Sequence, residues 1–147
     1  MSGLAAILAG HRKPGTYRWA SSLDVADIRR AVEHAHWAFV SLDTWQIEDK
    51  KAFLGSAKDA LGFPDDFAYN FDAFGDSLND VSHSDSEGVL MLWDGWGPFA
   101  RADRKAFDVA VDVLSVRSRS SRFGTFVVLM RGPGPEIDVP EIYPHAG

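Results

Sequence analysis

The five residues VLMLW at positions 89–93 carry no polar side chain. A strand with one face in water alternates apolar and polar residues. An uninterrupted apolar run of this length is buried on both faces, which places it centrally in a sheet covered by helices on either side. The neighbouring segments agree. WAFVSL (37–42) reads as a second buried strand, TFVVLM (125–130) as the last one, and TYRWA (16–20) as a short alternating one. Helical spacing fills the gaps. Val25, Ile28, Val32 and Ala35 share one face, with Arg29, Arg30 and Glu33 turned away, and Ser21-Ser22 offers the N-cap. Leu54, Ala57 and Leu61 share a face in a helix over 47–61, closed by Gly62-Phe63-Pro64. Phe107, Ala110, Val111 and Leu114 do so in a helix capped by Asp103 and ended by the Ser/Arg stretch SVRSRSSR.

Strands alternating with helices predict an α/β fold: a mainly parallel sheet of three strands, or four with residues 16–20, packed with helices. The expected organisation is an N-terminal extension over 1–36 (short helix, strand, helix) packing on the core and a central domain over 37–131. A flexible tail over 132–147, with four prolines, completes it. At 147 residues the chain suits one domain. Two helices are expected between the strands at 37 and 89, one more than a simple crossover requires.

The second of these helices, over 70–80, is chemically unusual. The segment FPDDFAYNFDAFGDSLND (63–80) holds five aspartates and no lysine or arginine, and from Asp59 to Ala100 nine acids stand without one basic residue. The rest of the chain has twelve acids against fifteen bases, so the overall charge of −6 is regional. On a helical wheel Phe71, Phe74 and Leu78 form the core side, while Asp72, Asp76, Asn79 and Asp80 gather opposite, with Gly75 between them. Asp72 and Asp76 are like charges at i,i+4, costing a helix about 0.2–0.5 kcal/mol. Asp and Gly are also poor interior helix residues. An ordinary solvated face accounts for Asp72, which gains from the dipole near the helix start, but accounts poorly for Asp76. Local rules broken without compensation are characteristic of functional sites. Such a surface repels nucleic acid and attracts a basic protein.

Other chemistry finds little support. Cysteine is absent, which excludes disulfides, thiol catalysis and cysteine-ligated zinc, and fits a cytoplasmic location. The run 4–9 is short, and its basic cluster His11-Arg12-Lys13 follows rather than precedes it, the wrong order for a signal peptide. No stretch is long enough to span a membrane. Asp72 and Asp76 suit Mg²⁺ ligation only with a phosphate substrate, and no glycine-rich phosphate loop accompanies them. His34 and His36 point to different faces of a helix. No enzyme activity, cofactor or metal site is expected.

PDDFAYNFDAFGDSL resembles the signature of the barstar family, intracellular protein inhibitors of small secreted ribonucleases such as barnase. Pro64, Phe67, Asn70, Asp72, Ala73, Asp76 and Leu78 fit its pattern without gaps, and the order of elements matches over 37–130. The PGTYRW stretch resembles an extension of longer barstar-like proteins. The resemblance implies a three-stranded parallel sheet and a binding edge made by the acidic helix and the loop before it. It also implies that Asp72 and Asp76, the latter more central, enter a ribonuclease's basic active site where RNA phosphate would sit. The partner-binding residues it points to are Asp66, Phe67, Tyr69, Asn70, Asp72, Gly75, Asp76, Asn79 and Asp80. Asp108 and Asp112 are candidates for the family's glutamate on a later helix. The sequence departs from the pattern at Asp66 (an aromatic position), Ala68 (a glycine) and Gly75 (a tryptophan). The expected partner is a small basic secreted ribonuclease or a related toxin; the alternative is a barstar-fold immunity module for a basic protein that is not a ribonuclease. Trp45 and Trp96, in loops, are placed to flank the interface.

Overall fold

The computed structural model describes residues 3–82 and 85–142. Its elements, in chain order, are α1 (Gly3–Leu8), β1 (Thr16–Trp19), α2 (Val25–His34), β2 (Ala38–Asp43), α3 (Lys50–Leu61), α4 (Phe71–Asn79), β3 (Val89–Asp94), α5 (Gly97–Ala102), α6 (Arg104–Arg119), β4 (Phe126–Arg131) and β5 (Glu141–Ile142). The fold is α/β, and every strand pairing is parallel, in the order β2-β3-β4-β1-β5.

The apolar runs are explained by the two faces they serve. Val89, Met91 and Trp93 of β3 and Phe126, Val128 and Met130 of β4 point into one core layer with α3, α4 and α6. Leu90, Leu92, Val127 and Leu129 point into the other, with Leu4 and Ile7 of α1 and Ile28 and Val32 of α2. Where both faces are covered the run is apolar, and the first polar side chain of β3, Asp94 at its carboxyl end, is paired with Arg131 of β4 at 2.9 Å.

The sheet has five strands rather than three or four. The fifth comes from the tail expected to be loose. Ile137, Val139 and Ile142 are buried, Arg18 pairs in register with Glu141, and the Arg18 Nε donates to the Val139 carbonyl at 2.9 Å. Apolar residues at 137, 139 and 142 outweigh the prolines; Pro140 alone lies among them, and its carbonyl accepts from the Arg18 N–H at 2.8 Å. Residues 143–147 of that tail, and Met1 and Ser2 of the extension, lie outside the described residues. The extension is interleaved with the rest: β1 lies between β4 and β5.

Several helical boundaries also differ. DGWGPF contains the start of α5, with Pro98 in its first turn, where a missing N–H costs nothing. α6 continues through most of SVRSRSSR to Arg119, because Arg117 and Ser118 extend its buried face beyond Leu114. The N-cap of α2 is Asp24 rather than Ser21 or Ser22.

Candidate functional site: an acidic helix held by a buried arginine

α4 starts at a formed cap. The Asn70 backbone is extended (φ −142°, ψ 166°), and its side-chain oxygen accepts from the Ala73 N–H at 2.7 Å, satisfying one of the donors every helix start leaves open. Phe74 and Leu78 are fully buried, and Phe74 meets Phe53 of α3 edge-to-face with ring centroids 5.6 Å apart. The helix is therefore fixed along its inner side, and Asp72, Asp76 and Asp80 are exposed on its outer side. The ion pairs among the described residues involve other groups, and none uses Asp65, Asp66, Asp72, Asp76 or Asp80.

The far end of α4 is held by a residue that sequence reasoning assigned to a helix terminus. Arg117 of α6 is 2% exposed. Its Nε donates to the Leu78 carbonyl at 2.9 Å, and its two terminal nitrogens donate to Val81, Phe123 and Gly124 carbonyls at 2.9–3.0 Å. Its face lies 4.9 Å from the Phe126 ring centroid. No carboxylate among the described residues forms an ion pair with it; burial pushes its pKa down from the ordinary arginine value. A planar fork is the side chain suited to hold several carbonyls at once, and a cation at a helix C-terminus is favourable. The available signal was spacing: 107, 110, 111, 114, 117 and 118 continue one helical face.

The preceding loop divides into anchor and surface. Phe67, expected among the contacts, is buried at 6% exposure against Phe63, with ring centroids 5.1 Å apart. Its ring packs between those of Phe63 and Tyr69 and supports the loop, and its N–H closes a turn on the Pro64 carbonyl at 3.0 Å. Tyr69, 44% exposed, presents the loop's aromatic surface. Asp66 and Asn70 are exposed, and Asn79 is half-buried. Gly75 is half-buried beside α6: a Cβ there would lie 3.6 Å from Val113 Cγ1.

Positive charge does approach the site, from outside the acidic segment. Lys50 Nζ lies 5.1 Å from the Phe71 ring centroid and Lys58 Nζ 5.9 Å from that of Tyr69, so α3 lines one flank with ammonium groups. On the other flank, Asp108 is bonded to Arg104 at 2.9 Å, while Asp112 is exposed and in no ion pair among the described residues. Trp96 is buried at 4% and stacks on Phe107, so it belongs to the core; Trp45, 42% exposed, covers Gly95 and Gly132 at the carboxyl edge of the sheet. Among the described residues no group of three or more histidines and acids is arranged to hold a metal ion, and no helix is long and apolar enough to cross a membrane.

Comparison with curated proteins finds no match. The family model described as Barstar (barnase inhibitor) matches residues 37–131, from the residue before β2 to the end of β4, and leaves β1 and β5 outside. With roughly two thirds of its length matched, the acidic helix included, the chain belongs to the barstar family.

Proposed function

We propose that this protein inhibits a small basic ribonuclease by seating α4 and the loop before it in the enzyme's active site. The observation that carries this reading is the row Asp72, Asp76 and Asp80, exposed and without ion-pair partners among the described residues, on a helix fixed at both ends. A ribonuclease cleft is cationic because it must hold phosphate. Carboxylates on a rigid helix meet its lysines and arginines with charge-assisted hydrogen bonds, occupying the positions phosphate oxygens would take. Rigidity matters because a helix backbone already ordered loses little entropy on binding. Tyr69, Asn70 and Asn79 frame these acids with polar and aromatic contact. The protein itself has no catalytic role in this reading, and a cytoplasmic location suits its lack of cysteine.

The test is RNA cleavage by barnase titrated with the wild-type protein and with Asp76→Ala. Loss of cleavage near a 1:1 ratio with the wild type, and only at large excess with the variant, is the expected result. Full cleavage under excess wild type, together with tight capture of a basic protein lacking ribonuclease activity, would instead make the protein an immunity module for that partner.

A further inference from the structure

β1 and β4 lie side by side, and the chain leaves them toward opposite faces of the sheet. After β1 it turns to α2, whose Ile28 and Val32 pack on one face. After β4 it carries Ile137 and Val139 to the other. Where adjacent parallel strands part in this way, a crevice opens beyond their carboxyl ends, the usual ligand position in sheets of this kind. Here the crevice has a volume of about 1030 Å³ and lies between residues 18–25 and 130–136. No residue of α4 or of the loop before it lines it.

Trp45 forms one wall. Its five-membered ring lies against Gly95 and its six-membered ring against Gly132, so the indole crosses the ends of β3 and β4. A Cβ at these glycines would stand 2.4 and 2.8 Å from the ring, and both have positive φ. The two glycines seat a ring that remains 42% exposed. Burial does not account for such a seat; an aromatic surface offered to the crevice does. Charge then selects the occupant. Arg131 is bonded to Asp94 and to the Leu23 carbonyl, and Arg18 is paired with Glu141 at 3.6 Å. Asp24 and Glu136 are exposed and in no ion pair among the described residues. Two arginines against four acids leave the lining at −2. The arginines of α2 do not offset this, since Arg29 is paired with Glu33 and Arg30 with Asp27, and Arg101, beside Gly97, is outside the lining. A phosphate-bearing ligand is repelled, whereas a cation is drawn to an indole face with carboxylates around it.

We infer that this crevice binds a small organic cation of the guanidinium or alkylammonium class, stacked on Trp45 and neutralised by Asp24 and Glu136. A flat, delocalised cation suits the indole face, and its alkyl part meets Leu23, Pro133 and Pro135, which also line the crevice. The site owes nothing to α4 and is independent of the inhibitor reading.

The probe is n-butylguanidinium, with n-butylurea as its uncharged counterpart, titrated into the full chain while the tryptophan indole N–H signals are followed by NMR. The Trp45 signal is the one lost in Trp45→Leu. It should shift saturably, with a dissociation constant on the order of millimolar for so small a probe. The urea should bind at least about tenfold more weakly, and Asp24→Asn/Glu136→Gln should weaken the cation at least about fivefold. Both positions are exposed and both replacements keep the side-chain shape, so an unchanged melting temperature separates lost charge from lost fold. Asp76→Ala should bind the cation as the wild type does. A Trp45 signal unmoved at about ten times the expected constant, or an equal response to the urea, overturns the inference. Release of the cation by excess barnase would also overturn it, by making the crevice a pocket for a basic side chain of that partner.

Discussion

The Arg117 Nε donates to the Leu78 carbonyl across 2.9 Å, so the last turn of the acidic helix is tied to a guanidinium on a different helix, 39 positions further along the chain. The same fork holds Val81, Phe123 and Gly124. The end of α4, the loop after it and the approach to β4 are thereby ordered by one side chain.

Replacing that side chain should be among the most damaging single changes available. Arg117→Met keeps much of the volume but strips donors from four carbonyls. A loss of about 3 kcal/mol or more is expected, or about 10 °C in melting temperature for a chain of this size. Arg117→Lys, with no planar fork, should fall between the two. Thermal unfolding of the three proteins checks the order; a melting temperature unmoved in Arg117→Met would show that the network contributes nothing.

Asp76→Ala should separate binding from stability. The exposed aspartate gives way to a better helix former and the repulsion with Asp72 disappears, so the free protein should gain about 0.5–1 kcal/mol. Binding should weaken by at least about 2 kcal/mol, as for a central interface residue whose partners lose their counter-charge. Asp72→Ala should act in the same directions, less strongly. Melting and titration of the same variants decide it, and a variant that melts several degrees lower yet binds normally makes the aspartate structural.

Gly75→Ala should raise stability by about 1 kcal/mol, the ordinary helix-interior difference. The added Cβ meets Val113 Cγ1 at 3.6 Å, a normal contact, and the backbone there is helical. Denaturant unfolding measures it. A midpoint that falls instead means that α4 and α6 cannot accept even one methyl group between them.

Association with the partner should be fast at low salt and slow steeply as salt rises. Charges exposed on α4 act over about 8–10 Å at physiological ionic strength and over longer distances in dilute buffer. Stopped-flow association rates across a salt series test this, and a flat series would remove steering by the acidic surface.

Much of the fold was visible in the chain because burial on both faces leaves a clear mark. The runs at β3 and β4 and the helical spacings around Ile28, Leu54 and Leu114 could be placed without coordinates. What escaped was decided by tertiary context. β5 is two residues long in a proline-rich segment, too short for any period to show. Arg117 is a charged residue in a serine- and arginine-rich stretch, where composition argues for solvent and only its spacing argues for the interior. Within the site, the aspartates could be assigned to the outer side of their helix from the wheel alone. Phe67 could not be assigned, because a loop has no period to say which way a ring points. The lysines of α3 were missed for a different reason: they are distant in sequence and reach the site only through packing.

Glu141 and Ile142 pair alongside Arg18 and Trp19, and β1 in turn covers β4. The stretch matched by the family model contains neither β1 nor β5. Cut to that stretch alone, the chain would end its sheet at β4, leaving the N–H and C=O groups on its β1-facing edge, those of alternate residues along the buried apolar run Phe126 to Met130, facing water. Such a border recruits further strands. Residues 16–19 and 137–142 therefore act as a guard against polymerisation, and the trimmed protein should form aggregates that the whole chain does not.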